Sequence, residues 1–204
     1  ELLRTINDAR KDPAYSSIFH APRSILNQKI TGSRRFAAQS YCLSRIKGVC
    51  KAYGTTVNDV VMAMCATALR SYLMNQDALP EKPLIAMVPV SLRKDDSSGG
   101  NQVGVILASL HTDVTSPVTR LMQIHEDVKA AKDRYADMSA EEIINYTALT
   151  LAPAAFNLLT GMAPKWQTLN VVISNVPGPR ETCYWNGATM DGMYPVSIAM
   201  DRLA

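Results

Sequence analysis

Leu169 to Ile173 is a mostly apolar run of strand length, and Ser174-Asn175-Val176-Pro177-Gly178-Pro179-Arg180 comes directly after it. The two prolines fix φ near −65° on either side of Gly178 and leave their nitrogens no N–H to donate. The strand therefore ends here, since the residues beyond it are poor partners for a hydrogen-bonded ladder. Gly178 is free to take φ values closed to other residues and to let a backbone or a ligand come close. On the residues alone, a stiff turn that redirects the chain is the simpler reading. A wall beside a binding site, with the Asn175 amide offered to it, is the other.

The rest of the chain supplies elements for that strand to pack with. Residues 1–32 mix a short helical piece, Leu2 to Ala9, with Pro13, Pro22 and Gly32, and read as a linker leading into residues 33–204. Phe36 to Leu43 is strand-like. Ser44 is placed to cap a helix reaching about Tyr53, which Gly54 ends in the left-handed conformation. Thr56 and Asp59 form a capping box in which Asp stands for the usual Glu or Gln. Behind it Val57, Val60, Val61, Met64, Cys65, Ala68 and Tyr72 recur at helical spacing and predict one buried face.

Leu84–Leu92 and Val103–Leu110 are predicted strands that pair across a polar loop, Arg93–Gln102. Ser116-Pro117 opens a helix that turns Val118, Leu121, Ile124 and Val128 inward. Ser139 with Glu142 is a second capping box. Ile143 to Pro164 then carries no charge over nearly the length of a membrane span. Pro153 interrupts it, and Asn145, Thr147, Thr150, Asn157 and Thr160 dilute it, so the prediction is a buried helical pair, or one lining an apolar channel. Asn186-Gly187 marks a two-residue hairpin between Thr182–Trp185 and Ala188–Met193. This order argues an α/β fold of the α+β two-layer sandwich type, a mixed β-sheet with helices packed on one face.

A chain of 204 residues suits one domain, and 47% hydrophobic with 19% charged residues describes an ordinary globular one. The net charge of +3, with Arg34-Arg35 the densest basic pair, reads as too small and too evenly spread for nucleic acid. It leaves room for weak attraction to anionic lipid. Cys42, Cys50, Cys65 and Cys183 lack both C-x-x-C spacing and matched histidines, so buried free thiols in a reducing compartment are expected, and no metal. His20, His111 and His125 are scattered. His125-Glu126 begins H-E-x-x-H, but Lys129 stands where the second ligand belongs. Ser44-Arg45-Ile46-Lys47 matches S-x-x-K without the S-D-N or K-T-G that accompanies it.

Val171 to Arg180 resembles the signature near the C-terminus of the bacterial wax ester synthase/diacylglycerol acyltransferase family. Four other stretches agree in order and spacing: Thr55-Thr56-Val57-Asn58-Asp59-Val60-Val61, Met87-Val88-Pro89-Val90-Ser91-Leu92-Arg93, Gly99-Gly100-Asn101 and Tyr194-Pro195-Val196. The resemblance runs from about Phe36 to the end of the chain. It implies one half of the coenzyme-A-dependent acyltransferase fold, similar to chloramphenicol acetyltransferase and the peptide-synthetase condensation domain, with an active channel between two similar halves. The family's two adjacent histidines followed by Asp-Gly do not occur in these 204 residues. The resemblance therefore implies the C-terminal half of an O-acyltransferase, truncated at its C-terminus, with residues 1–32 arriving from an N-terminal half that holds the base.

Given this resemblance, acyl-CoA is expected as a substrate, with no cofactor, and a fatty alcohol or diacylglycerol as acceptor, giving wax ester or triacylglycerol. A cytoplasmic enzyme, peripheral on the inner membrane or on lipid droplets, is implied, and this chain alone is expected to be inactive. Asn175, Val176, Pro177, Gly178 and Pro179 are the expected substrate-binding residues. Asn58 and Asp59 form a family motif that the capping box explains structurally. Arg93, Lys94 and Arg180 are candidates for the coenzyme A phosphates, with solvated surface charge as the plainer reading. A non-catalytic lipid-binding or membrane-docking module of the same fold, or a condensation or acetyl-transfer relative with another acceptor, are the competing functions.

Overall fold

The computed structural model describes residues 21–91, 103–136, 138–160, 167–179 and 181–203. The Leu2–Ala9 piece, His20 and the Arg93–Gln102 loop lie outside them. In chain order the elements are α1 (Leu43–Tyr53), α2 (Val57–Asn75), β1 (Ile85–Ser91), β2 (Val103–Ser109), α3 (Pro117–Ala136), α4 (Ala140–Thr160), β3 (Val171–Val172), β4 (Tyr184–Trp185) and β5 (Ala188–Thr189).

β1 is the middle strand of a mixed sheet of order β2-β1-β3. It pairs antiparallel with β2, from Ile85 opposite Ser109 to Ser91 opposite Val103, as the two apolar runs predict. It pairs parallel with β3, Ala86 opposite Val171 and Met87 opposite Val172. Side chains alternate across a strand, so one face collects Leu84, Ala86 and Val88 with Ile106, Ala108 and Leu110. Met62, Ala66 and Leu73 of α2 and Ile124, Val128 and Ala131 of α3 complete that core.

The predicted strand Leu169–Ile173 shortens to two ladder residues, and Pro89 supplies a reason. Odd-numbered β1 residues aim their backbone groups at β3: Asn170 N–H donates to the Ile85 carbonyl at 2.8 Å, and Ile173 N–H to the Met87 carbonyl at 3.0 Å. The next rung in this register needs an N–H at residue 89, which proline lacks. Pairing stops there, and the chain leaves as the Ser174–Pro179 segment.

Helix starts agree with the local chemistry in three places. Thr56 and Asp59 make both halves of a capping box. Ser139 N–H donates to Glu142 Oε2 at 2.8 Å and Glu142 N–H to Ser139 Oγ at 3.2 Å. Thr119 N–H donates to Ser116 Oγ at 3.3 Å just ahead of α3. Gly54 ends α1 with φ 67° as expected, and Asn186 and Gly187 take the positive φ values, 48° and 84°, of the tight β4–β5 hairpin.

Five expectations are corrected. Residues 36–42 form no strand; Phe36 and Tyr41 are exposed, and Phe36 meets Tyr194 edge-on with ring centres 6.4 Å apart. Cys42, not Ser44, occupies the α1 cap position, and no side chain caps the helix. The buried face of α2 is Asp59, Val60, Met62, Ala66 and Leu73, while Ala68 and Tyr72 are exposed. A helix apolar nearly all round has no unique inner face until its neighbours are placed. Val118 is 45% exposed because it sits about a quarter turn round the helix from the face that Leu121, Ile124 and Val128 bury.

The fifth concerns the uncharged stretch. Its described part, up to Thr160, is one helix, α4, continuous through Pro153, rather than a buried pair. Proline strips the partner from the carbonyl four residues back, at Leu149, and Leu149 is exposed, so water can take the bond. Ile143 and Thr150 are buried, whereas Ile144 and Phe156 are 60% and 57% exposed. No helix among the described residues is long and apolar enough to cross a membrane.

Candidate functional site

β1 and β3 run parallel, so both finish at the same edge of the sheet. There β1 ends at Ser91, and β3 gives way to Ser174–Pro179. Ile173 is the last buried residue of that run. Asn175, Val176, Pro177, Gly178 and Pro179 are all exposed, Val176 by 76%. The segment presents an amide and an apolar, donor-poor surface outward rather than folding back on the core.

Gly178 does not use the freedom expected of it. It is not among the glycines with positive φ, and a Cβ built on it meets nothing within 4 Å. Among the described residues no close approach demands glycine there. Arg93, Lys94, Gly99-Gly100-Asn101 and Arg180 lie outside the described residues.

The second motif stands at the start of α2. Asn58 is half-buried, and its Nδ2 reaches the Met62 sulfur, at 3.5 Å. Asp59 is 1% exposed and gathers three donors on Oδ2. Thr56 N–H and Thr56 Oγ1 donate at 2.8 Å each, and His125 Nδ1 lies 2.7 Å away. The capping reading of Asp59 is thus right and incomplete, since the carboxylate also ties α2 to α3. His111 makes a similar pair with Asp127, Nε2 to Oδ2 at 2.8 Å. Neither histidine is an isolated base, which the sequence alone did not reveal.

Two buried polar residues escape a reading of the sequence. Asn170 is fully buried and joins three segments, its own, β1 and residues 22–27. Its Oδ1 accepts Ile85 N–H at 2.9 Å, while Nδ2 donates to the Pro22 carbonyl and to Asn27 Oδ1, each at 2.8 Å. Asn27 Nδ2 returns to the Asn170 carbonyl at 2.7 Å and reaches the Arg202 carbonyl at 3.1 Å. The strand that leads into the signature segment is therefore fixed at its base by residues 22–27 and 202. A polar Asn inside an apolar run was the available signal.

Arg120, 1% exposed, donates to the His111, Val114 and Thr115 carbonyls and to Thr67 Oγ1, shaping the loop after β2. Burial, and then the neighbouring Arg70, lower its affinity for a proton. The thiols differ from expectation: Cys42 is exposed and its pKa is lowered, first by the Ser44 hydroxyl, while burial raises that of half-buried Cys65.

The family model described as "WS/DGAT C-terminal domain" matches residues 99–204, and that of the wax ester synthase/diacylglycerol acyltransferase catalytic domain matches residues 1–61. The chain is 50% identical to the O-acyltransferase WSD of Acinetobacter baylyi over 205 residues, covering 100% of this chain and 45% of that protein. It is 47% identical to a putative diacylglycerol O-acyltransferase of Mycobacterium tuberculosis, covering 99% of this chain and 46% of the relative. A solved wax ester synthase/diacylglycerol acyltransferase from Marinobacter aquaeolei VT8 superposes with a TM-score of 0.80 at 68% identity, over 100% of this chain and 44% of that one. The chain thus spans a little under half the length of the relatives it matches. With the C-terminal-domain model covering just over half of its residues, the chain belongs to the wax ester synthase/diacylglycerol acyltransferase family.

Proposed function

We propose that this chain forms the C-terminal half of an O-acyltransferase that moves a fatty acyl group from acyl-CoA to a long-chain alcohol or to diacylglycerol. The observation that carries the reading is the 68% identity, along the whole chain, to a wax ester synthase/diacylglycerol acyltransferase. In the proposed reaction a base on the other half takes the alcohol proton as the alcohol oxygen attacks the thioester carbonyl. The C–S bond breaks, and the proton passes to the departing coenzyme A sulfur. Direct transfer of this kind needs no acyl-enzyme and no cofactor, and a Cys65 thiol held protonated by burial is a poor nucleophile.

In this reading the chain's own part is to hold substrate. The Asn175 amide donates to a carbonyl oxygen of the thioester or of pantetheine, and Val176 with Pro177-Gly178-Pro179 forms a stiff apolar wall. Their common exposure at the end of β3 supports this assignment. Asn58 and Asp59 act through the fold. Residues 1–32 serve as the connection to the other half, and the assembled enzyme works in the cytoplasm, peripherally at the inner membrane or at lipid droplets.

The test is reconstitution. The chain by itself should form no ester from any acyl-CoA and alcohol, and co-expression with an N-terminal half bearing the paired histidines should restore turnover. A general base typically contributes about 10²- to 10⁴-fold, so the difference is readily measured. Wax ester or triacylglycerol made by the purified chain alone would overturn this division of labour. Lipid binding without turnover when both halves are present would identify a non-catalytic module of the same fold.

A further inference from the structure

The even spread of charge read above does not hold along the chain. Residues 13–58 hold seven Lys and Arg and no Asp or Glu. With +7 there and +3 overall, the remainder of the chain carries −4. The basic stretch surrounds α1, a helix with no buried residue. Ile46 and Cys50, half-buried, mark its side toward α2. Leu43 flanks them on one side of the helix and Val49 and Tyr53 on the other, and these three are 52%, 38% and 41% exposed. Beyond Leu43 around the helix come Lys47 and Lys51, and beyond Val49 comes Arg45, all exposed. Each uncovered apolar edge is thus bordered by cations.

We propose that α1 and the basic segment before it form a docking face for an anionic phospholipid surface. Such a surface offers phosphate charge and hydrocarbon at the same boundary, which is what an apolar edge bordered by Lys and Arg matches. Phe36 and Tyr41, both exposed just ahead of the helix, are of the aromatic type that settles at headgroup level. Nucleic acid would answer the charge but leave Leu43, Val49 and Tyr53 in water. The negative remainder of the chain would be repelled by the same surface, so electrostatics also orients the molecule. This inference gives the peripheral placement proposed above a particular face and does not depend on the acyl-transfer chemistry.

The experiment is co-flotation of the enzyme reconstituted from both halves with phosphatidylglycerol/phosphatidylcholine vesicles and with phosphatidylcholine vesicles alone. Binding is expected to the first and not the second, and to weaken at high salt. Binding by this chain alone that the other half abolishes would assign the face to the contact between halves and overturn the proposal. The triple variant Arg45→Glu, Lys47→Glu, Lys51→Glu should lose more than about tenfold in binding, since each cation near an anionic surface contributes measurably. All three side chains are exposed, so folding should survive; circular dichroism melting checks this. The control Lys82→Glu, Lys129→Glu, Lys132→Glu changes net charge equally at exposed positions elsewhere and should bind nearly as wild type. Equal losses in the two triples would reduce the effect to net charge and overturn the face. Unchanged binding by the α1 variant would overturn it while leaving peripheral attachment standing. Failure of the wild type to bind either vesicle would overturn both, and ester synthesis by the reconstituted enzyme would be unaffected by that result.

Discussion

Asp59 Oδ2 lies 2.7 Å from His125 Nδ1 while it also receives the Thr56 N–H and hydroxyl, so one buried oxygen closes a helix cap and pins that helix to its neighbour. With the carboxylate ionised, Nδ1 of His125 is the donor, and its tautomer is fixed. Two kinds of loss are thereby separable. Thr56→Ala removes the hydroxyl from the cap and from Asp59 but leaves His125 its acceptor, and should cost about 1 kcal/mol. Asp59→Ala removes the acceptor for both partners and should cost about 2 kcal/mol or more. Denaturant titration of the two variants checks the order; equal values would mean that the bond to His125 contributes nothing.

Asn170 makes a sharper case, because its amide is satisfied on both ends inside the protein. Asn170→Ala leaves Ile85 N–H, the Pro22 carbonyl and Asn27 Oδ1 without this partner, and a loss of about 2–3 kcal/mol is expected. Asn170→Asp should be no milder. It keeps the acceptor for Ile85 but turns an oxygen toward the Pro22 carbonyl and Asn27 Oδ1. Calorimetric melting of both variants tests the network.

The start of α4 carries a pH dependence with a definite sign. The Ser139 backbone N–H, and then its hydroxyl, lower the Glu142 pKa from its ordinary value. Its contribution is therefore fully present above the ordinary glutamate pKa of about 4.3 and is lost as pH falls below that through the depressed value. The protection of the first-turn amides of α4 against exchange, relative to their intrinsic rates at each pH, should fall over that acid range. In Ser139→Ala the change should begin at higher pH.

Gly178 allows substrate contact to be separated from folding. A Cβ there meets open space and φ is not positive, so Gly178→Ala and Gly178→Val should melt within about 0.5 kcal/mol of wild type. If the segment walls a substrate channel, Gly178→Val should still lower turnover in the reconstituted enzyme, as should Asn175→Ala. Full turnover by both would remove the segment from the site.

The apolar length of α4 invites a membrane test. Pro153 and the buried Thr150 disfavour insertion, and attachment to lipid should be peripheral. Carbonate at high pH should release the protein completely from membranes, and retention in the pellet would contradict this.

The sequence by itself determined whatever depends on groups a few residues apart. Thr56 with Asp59, Ser139 with Glu142, Gly54, and Asn186-Gly187 each place donor, acceptor or special φ inside one turn of chain, so their chemistry is decided locally. β1 and β2 were legible for a related reason, two apolar runs set close enough to pair. The order of motifs from Thr55 to Val196 likewise sufficed to place the chain in its family. Tertiary structure decided what distant segments do to one another. Asn27 and Asn170 stand 143 residues apart, and no local pattern announces their bond. His125 reaches Asp59 across 66 residues. The inner face of α2, the exposure of α4 and the passage of a helix through Pro153 all depend on which surfaces are covered. A residue's spacing fixes the donors and acceptors it can offer nearby; only packing fixes which of them are removed from water.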